Sequence, residues 1–397
     1  MQGTQARYEC LLWGGYGFGN VGDELTLAVA LHDQRLLFGE SVGILSHRPE
    51  VMRRQFPDTD VIPYEPRTVA APHRFLARLA ATWLRHGGPG RFHLPRYRLA
   101  DQPVPSTAGA GQWRQVIARC RQLYLVGGGY LTDLFSIDYF LLPLEVVRAA
   151  SVPIRTAPLG LGPFYSRGAG TRVASALAPA DLVVRDAASL EFCQRHQLPS
   201  RLQRDDGFRV REVLPELSSP VAEDCRARRP RLGICVFRQH GDQAWPETRR
   251  WWLRLLTALQ ASREVLDVEG FCFYREPGVD HRTLSSLFAD VGGGQENVRP
   301  PQQDFRDAVR ELRRYDFIVS ARFHSIVVAN ELGIPHVAVG LGESYAVKMA
   351  AAVRADDARC RLVRSCALPP ESIADHVRSV CRAIADARHL PPAGRGV

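Results

Sequence analysis

Lysine is almost missing from this chain. Of fifty-one basic residues, fifty are arginine and one is lysine, Lys348. Arginine serves wherever a solvated positive charge is enough, so the surviving lysine marks a position where a compact ammonium with a tunable pKa differs from a planar, permanently charged guanidinium. Paired cysteine motifs are missing too. The nine cysteines form no CxxC pair, which argues against a zinc knuckle or a redox dithiol and for free thiols in a reducing cytosol. The N-terminal residues 1–8 contain no apolar core, so no signal peptide is expected. No uncharged run is long enough to span a bilayer. There is no long basic run or aromatic-basic stripe, which weighs against nucleic acid as a partner, and no short-period repeat, which weighs against a solenoid.

What is present is the composition of a globular protein, with 45% hydrophobic and 23% charged residues over 397 positions. That length suits two domains of ordinary size. The net charge of +9 favours anionic partners in general terms: phosphorylated metabolites, acidic glycans or an anionic membrane surface.

Short β-rich runs alternate with helical stretches. Tyr8–Trp13 breaks into glycines and is followed by a helical pattern from about Val21 to Phe38, and then by the strand Val42–Leu45. Leu123–Val126, Ile154–Leu159 and Leu182–Val184 repeat the unit, each ending in glycine or polar residues. A break rich in Pro, Ser and charge falls near 214–231, after which Leu232–Phe237, Leu266–Tyr274, Phe317–Ser320 and His336–Val339 read as further strands. This alternation predicts an α/β fold with parallel sheets covered on both faces, in two halves, 1–220 and 221–397. Between about 67 and 111 prolines, glycines and arginines crowd into a large insertion. Within it Phe75, Leu76, Leu79, Ala80, Trp83 and Leu84 recur at helical spacing beside Arg74, Arg78 and Arg85. A basic amphipathic helix of this kind suits peripheral membrane contact or a lipid-linked substrate; a helix packed on its own domain is the favoured reading.

Three strand-to-loop junctions carry the candidate chemistry. The run Gly14–Glu24 follows the first strand and opens a helix, so glycines allow close backbone approach and a helix N-terminus offers free N–H groups. Asp23 and Glu24 at that turn would repel a pyrophosphate, and no P-loop lysine follows, so a dinucleotide site is disfavoured. The carboxylates suit recognition or deprotonation of a hydroxyl, or helix capping. Gly127-Gly128-Gly129 through Asp133 reads as a second glycine turn at the edge where ligands bind in open parallel sheets. In Ser320-Ala321-Arg322-Phe323-His324, an arginine and an imidazole stand at a helix start, and Lys348 returns after the next strand. Such cations around helix N-termini form an anion site, although a satisfied Arg–carboxylate pair is the plain alternative for Arg322. Arg185, Arg238 and His240 also stand at strand ends.

These blocks together resemble the polysaccharide pyruvyl transferases: Tyr16–Glu24, Val126–Asp133, Leu182–Leu190, and Ser320–His324 with Gly333-Ile334-Pro335, followed by Lys348. The resemblance runs from residue 8 to about 350. It implies two Rossmann-like domains facing a cleft in a GT-B-like arrangement, acceptor side in 1–220 and donor side in 221–397. It further implies an enzyme of the cytoplasm, at most peripheral at the inner face of the membrane, with phosphoenolpyruvate as donor, a sugar or glycan acceptor that is polymeric or lipid-linked, and neither metal nor cofactor. Arg185, Arg322 and Lys348 would bind phosphoenolpyruvate, His324 would be the general acid, and Asp23 would orient or deprotonate an acceptor hydroxyl. Asn20, Gly22, Glu24, Gly128, Gly129, Asp133, Arg238 and His240 would line the acceptor side. Phe323 stands where the family more often has an aliphatic residue, and the insertion has no evident counterpart in the family. Two other readings stay open: a GT-B glycosyltransferase using a nucleotide sugar, and a non-catalytic glycan-binding relative. Oligomeric state is not legible.

Overall fold

The structure is a computed structural model that describes residues 8–64, 112–135, 137–219, 228–238, 245–262, 264–275, 279–341, 343–354 and 356–389. The 67–111 insertion, with its candidate amphipathic helix, and His240 lie outside the described residues.

Two parallel sheets organise the chain. The first contains β1 (Cys10–Trp13), β2 (Val42–Ser46), β3 (Asp60–Pro63), β4 (Leu123–Leu125), β5 (Gly128–Leu131), β6 (Ile154–Thr156), β7 (Leu159–Leu161), β8 (Ala180–Val184) and β9 (Ser200–Leu202). Its order is β3-β2-β1-β4-β6-β8-β7-β5, with β9 pairing β8. The second contains β10 (Arg231–Cys235), β11 (Asp267–Gly270), β12 (Phe317–Ser320), β13 (His336–Val339) and β14 (Arg361–Val363), in the order β11-β10-β12-β13-β14. Each is doubly wound, with a switch point between β1 and β4 in one and between β10 and β12 in the other. Loops leaving the carboxyl ends of the strands at such points form ligand crevices. Strands β1, β2, β12 and β13 are buried at every residue, as strands covered on both faces must be.

The sequence boundaries mostly hold. The helix at Val21–Phe38 begins and ends where the pattern placed it. The Asn20 side chain caps it by accepting from the Gly22 amide at 3.1 Å, and Gly39 ends it at φ +58°. Gly127–Gly129 was expected as a turn; instead Gly128–Leu131 is a strand hydrogen-bonded to β7. The expected strand 154–159 is also divided, at residues 157–158, into β6 and β7. These two interruptions let the strand order reverse beyond β6.

Two helices are buried on nearly every side: Val21–Phe38 over most of its first half, and Phe323–Leu332 from Phe323 to Asn330. These two helices pack against each other where the halves meet, which is why both are buried on nearly every side. One hydrophobic cluster runs through both halves, joining Leu25 and Ala28 to Phe208, Phe305, Val309 and Ile326. The loop after β11 closes the contact: the Arg275 amide donates to the Gly19 carbonyl at 2.7 Å, and Asn20 pairs with Tyr274. The glycine loop of the first half is thereby fixed by the second. Among the described residues no helix is long and apolar enough to cross a membrane.

Candidate functional site

The two central helices bring Gly22 and His324 together. A Cβ at position 22 would lie 1.9 Å from Nδ1 of His324, so only glycine leaves room for the ring. On its other edge the imidazole meets Asp205, whose Oδ1 lies 3.4 Å from Nε2, within ion-pair reach though not aligned as a hydrogen bond. Asp205 also accepts from Arg185 Nη1 at 2.8 Å and from the Gly207 amide at 2.9 Å. Burial disfavours its charge, but His324, Arg185 and that amide outweigh burial and hold the carboxyl well below the ordinary range.

Arg185 leaves the end of β8 and is nearly fully buried. Its guanidinium passes so close to β5 and β7 that a Cβ on Gly129 would lie 2.7 Å from Nη2, and one on Gly160 2.8 Å from Nε. The Nε donor is buried without a hydrogen-bond partner. A buried donor left unmade is costly, and the nearest carboxylate, Asp186 Oδ2, stays 3.7 Å away, within ion-pair reach but too far to hydrogen-bond, so Nε stands ready for a closer acceptor. The same Gly129 position lies 3.5 Å from Lys348 Nζ. Arg185 and Lys348 both lie over the Phe323 ring, at 4.8 and 5.3 Å from its centroid. An aromatic face between two cations tempers their repulsion, which gives the unusual Phe323 a role that an aliphatic residue would lack.

Burial lowers the Lys348 pKa to about 8, and Arg185 adds to the fall, while the carboxylates of Asp23, Asp205 and Asp186 resist it. Asp23, whose Oδ2 accepts from the Asn20 amide at 2.8 Å, is pushed up by burial, and His324, Lys348 and Arg185 oppose the shift. Asp23, Gly128, Gly129, Arg185, Asp205, His324 and Lys348 therefore form one cluster, drawn from six separate segments of both halves. Without a ligand its charges nearly cancel.

Other expected residues are placed differently. Glu24 is fully buried in an ion pair with Arg275 between the halves, and burial pushes its pKa up to about 8 against the pull of Arg275 and Gln55. It therefore faces the interface rather than an acceptor. The Asp133 carboxylate accepts the backbone amides of Tyr165 and Ser166, a loop-fixing role rather than a ligand-facing one. Arg322 was expected as one of three equal cations. Its Nε and Nη2 are instead taken by the fully buried Asp280, and its guanidinium lies 4.2 Å from the Phe237 ring centroid and 5.0 Å from that of Tyr274. Asp280 offsets its charge, although Nη1 keeps no hydrogen-bond partner among the described residues. Arg238 is exposed and stacks on Trp245 at 5.2 Å. Asp205 and Asp280 were missed. Both lie outside the quoted motifs, and the faint signal was a buried-type aspartate beside glycine, in Asp205-Asp206-Gly207 and Gly278-Val279-Asp280.

Two doubly wound parallel sheets meeting at a cleft define the GT-B-like class. The S. aureus MnaA–UDP co-structure is similar over 95% of this chain and 90% of that one, with a TM-score of 0.58 at 10% identity. A Neisseria meningitidis UDP-GlcNAc 2-epimerase bound to UDP-GlcNAc is similar over 96% and 94%, at 0.51 and 9%. A glycosyltransferase from Rickettsia africae is similar over 96% and 92%, at 0.51 and 10%. At such identities the likeness shows the fold. Comparison with curated protein sequences finds no match. The polysaccharide pyruvyl transferase family profile matches residues 50–343, and the chain belongs to that family. Arg185 and His324 lie inside the matched span; Asp23 and Lys348 lie outside it.

Proposed function

We propose that this protein transfers the pyruvyl unit of phosphoenolpyruvate to a sugar diol of a polysaccharide or its precursor, forming a cyclic ketal and releasing phosphate. The observation that carries this reading is the unfilled Arg185 donor beside Lys348. A guanidinium edge and an ammonium that share one small space suit a compact donor bearing both carboxylate and phosphate. Arg322, through Nη1, adds a hydrogen bond more than a charge.

In this scheme the protonated imidazole of His324 delivers a proton to the donor's methylene carbon, which becomes the methyl group. An acceptor hydroxyl forms the C–O bond at the neighbouring carbon, passing its proton to Asp23. Phosphate departs with the electron pair of its C–O bond and takes up the proton held by Asp23, which returns that carboxylate to its starting state. The second hydroxyl closes the ketal, and its proton restores His324. Burial raises the Asp23 pKa, which makes its carboxylate a better proton acceptor than an exposed one. Asp205, beside Nε2, fixes the ring so that Nδ1 stays on the Gly22 side.

The test is phosphate release from phosphoenolpyruvate in the presence of candidate glycans. His324→Ala should slow turnover by about 10²–10⁴-fold; robust turnover in a variant lacking both His324 and Lys348 would overturn the residue assignment. Thermal stabilisation by phosphoenolpyruvate, and not by nucleotide sugars, is expected. The reverse pattern would favour glycosyl transfer.

A further inference from the structure

Asp133 ends the glycine motif of β5, yet its carboxylate binds no catalytic group. It accepts the Tyr165 amide at 2.9 and 3.0 Å on its two oxygens and the Ser166 amide at 2.6 Å. Thr132 Oγ1 donates to the Pro163 carbonyl at 2.6 Å, and the Gly162 amide donates to the Leu131 carbonyl at 2.9 Å. The loops leaving β5 and β7 are therefore stitched together at three successive residues of one, Leu131, Thr132 and Asp133. The backbone at Tyr165 is rigid, but its side chain is 68% exposed. Phe135, on the partner loop, is also an exposed aromatic.

A large ring held out into water on a fixed backbone is a preorganised contact, because little freedom remains to be lost on binding. Tyr165 lies five residues beyond Gly160, whose backbone touches Arg185, and five residues of chain reach at most roughly 17 Å. The ring thus stands on the outer lip of the same sheet edge as the cluster. Apolar rings with a polar tip suit partners that present both C–H faces and hydroxyls.

We infer that Tyr165, supported by Asp133, is a stacking platform for acceptor sugars that lie outside the reacting diol, so that it selects a polymeric over a monomeric acceptor. The inference rests on the reading of the cleft as a glycan-acceptor site. It also gives the motif aspartate a positioning role, with its effect carried through Tyr165.

Native gel electrophoresis through galactan, mannan or glucan tests this without any donor, so the outcome does not depend on the phosphoenolpyruvate chemistry. The wild type should be retarded by at least one of the three polymers. Tyr165→Ala should lose most of that retardation, about five- to tenfold in affinity for a lost aromatic contact of the usual size, while Tyr165→Phe keeps it. Asp133→Ala should weaken retardation too, with the monomeric sugar's affinity unchanged. Circular dichroism melting of each variant checks that it is folded. Equal retardation of wild type and folded Tyr165→Ala, or no retardation of the wild type by any polymer, would overturn the inference.

Discussion

Arg185 and Arg322 hold corresponding stations in the two halves. Each follows a parallel strand at the mouth of its sheet, each is buried, each stacks on aromatic rings, and each has a buried aspartate partner. They differ in which edge of the guanidinium is used. Asp280 takes Nε and Nη2 of Arg322, the pair best suited to grip a carboxylate. Asp205 takes only Nη1 of Arg185, and Nε, with Asp186 no closer than 3.7 Å, makes no hydrogen bond. An arginine closed on its side fork holds structure together, whereas one tethered at a single nitrogen is positioned and still able to bind. Motif position alone does not separate the two cases.

The largest effect should come from the two aspartates. Asp280→Ala strands a buried guanidinium and should cost roughly 3–5 kcal/mol of stability by urea unfolding. Asp205→Ala should cost a similar amount in the ligand-free protein. Saturating phosphoenolpyruvate should restore much of the loss in the Asp205 variant and little in the Asp280 variant; equal recovery in both would erase the distinction. Next, Arg185→Lys keeps the charge and loses the fork. Steady-state kinetics should show kcat/KM lower by about a hundredfold, as expected for a charge-assisted bidentate contact.

Gly22→Ala probes the contact that joins the halves. A methyl group at that position would displace the buried His324 ring, so turnover should drop about ten- to a hundredfold, and the melting temperature should fall as well, with a loss of roughly 1–3 kcal/mol of stability. A smaller, pH-dependent effect should come from Lys348. Its folded value of about 8 lies below the 10.5 of an unperturbed lysine, so between those values the folded protein binds fewer protons than the unfolded chain. Ligand-free stability should therefore rise with pH across that window. Donor affinity should move the opposite way, weakening by up to about tenfold per pH unit above 8 as the ammonium is lost. Titration calorimetry should show both trends flattened in Lys348→Met. Arg238→Ala, on an exposed and separate stack, should leave donor affinity within about twofold.

Much of the frame was legible because it depends on local pattern. Val21–Phe38, Phe317–Ser320 and His336–Val339 carry their periodicity and breaks in contiguous residues, and the structure has the same bounds. Gly128–Leu131 was not legible as a strand, since glycines read as a turn until β7 supplies hydrogen bonds. The partners of the site were harder still. Asp205 meets His324 across more than a hundred residues, and Glu24 meets Arg275 across 251, separations over which no periodicity carries information. Asp23 and Glu24 are chemically alike and adjacent, and only the helix's rotation sends one to the cluster and the other into the interface.

The sequence alone determined the α/β alternation and the glycine openings beneath the helix starts, because both follow from nearest-neighbour conformational preference and residue spacing, while its motif blocks carried the resemblance to the family. Tertiary structure decided which charges face one another. Paired charges are selected by burial and distance after the sheets have packed, so the difference between a tethered Arg185 and a closed Arg322 exists only once the two halves have met.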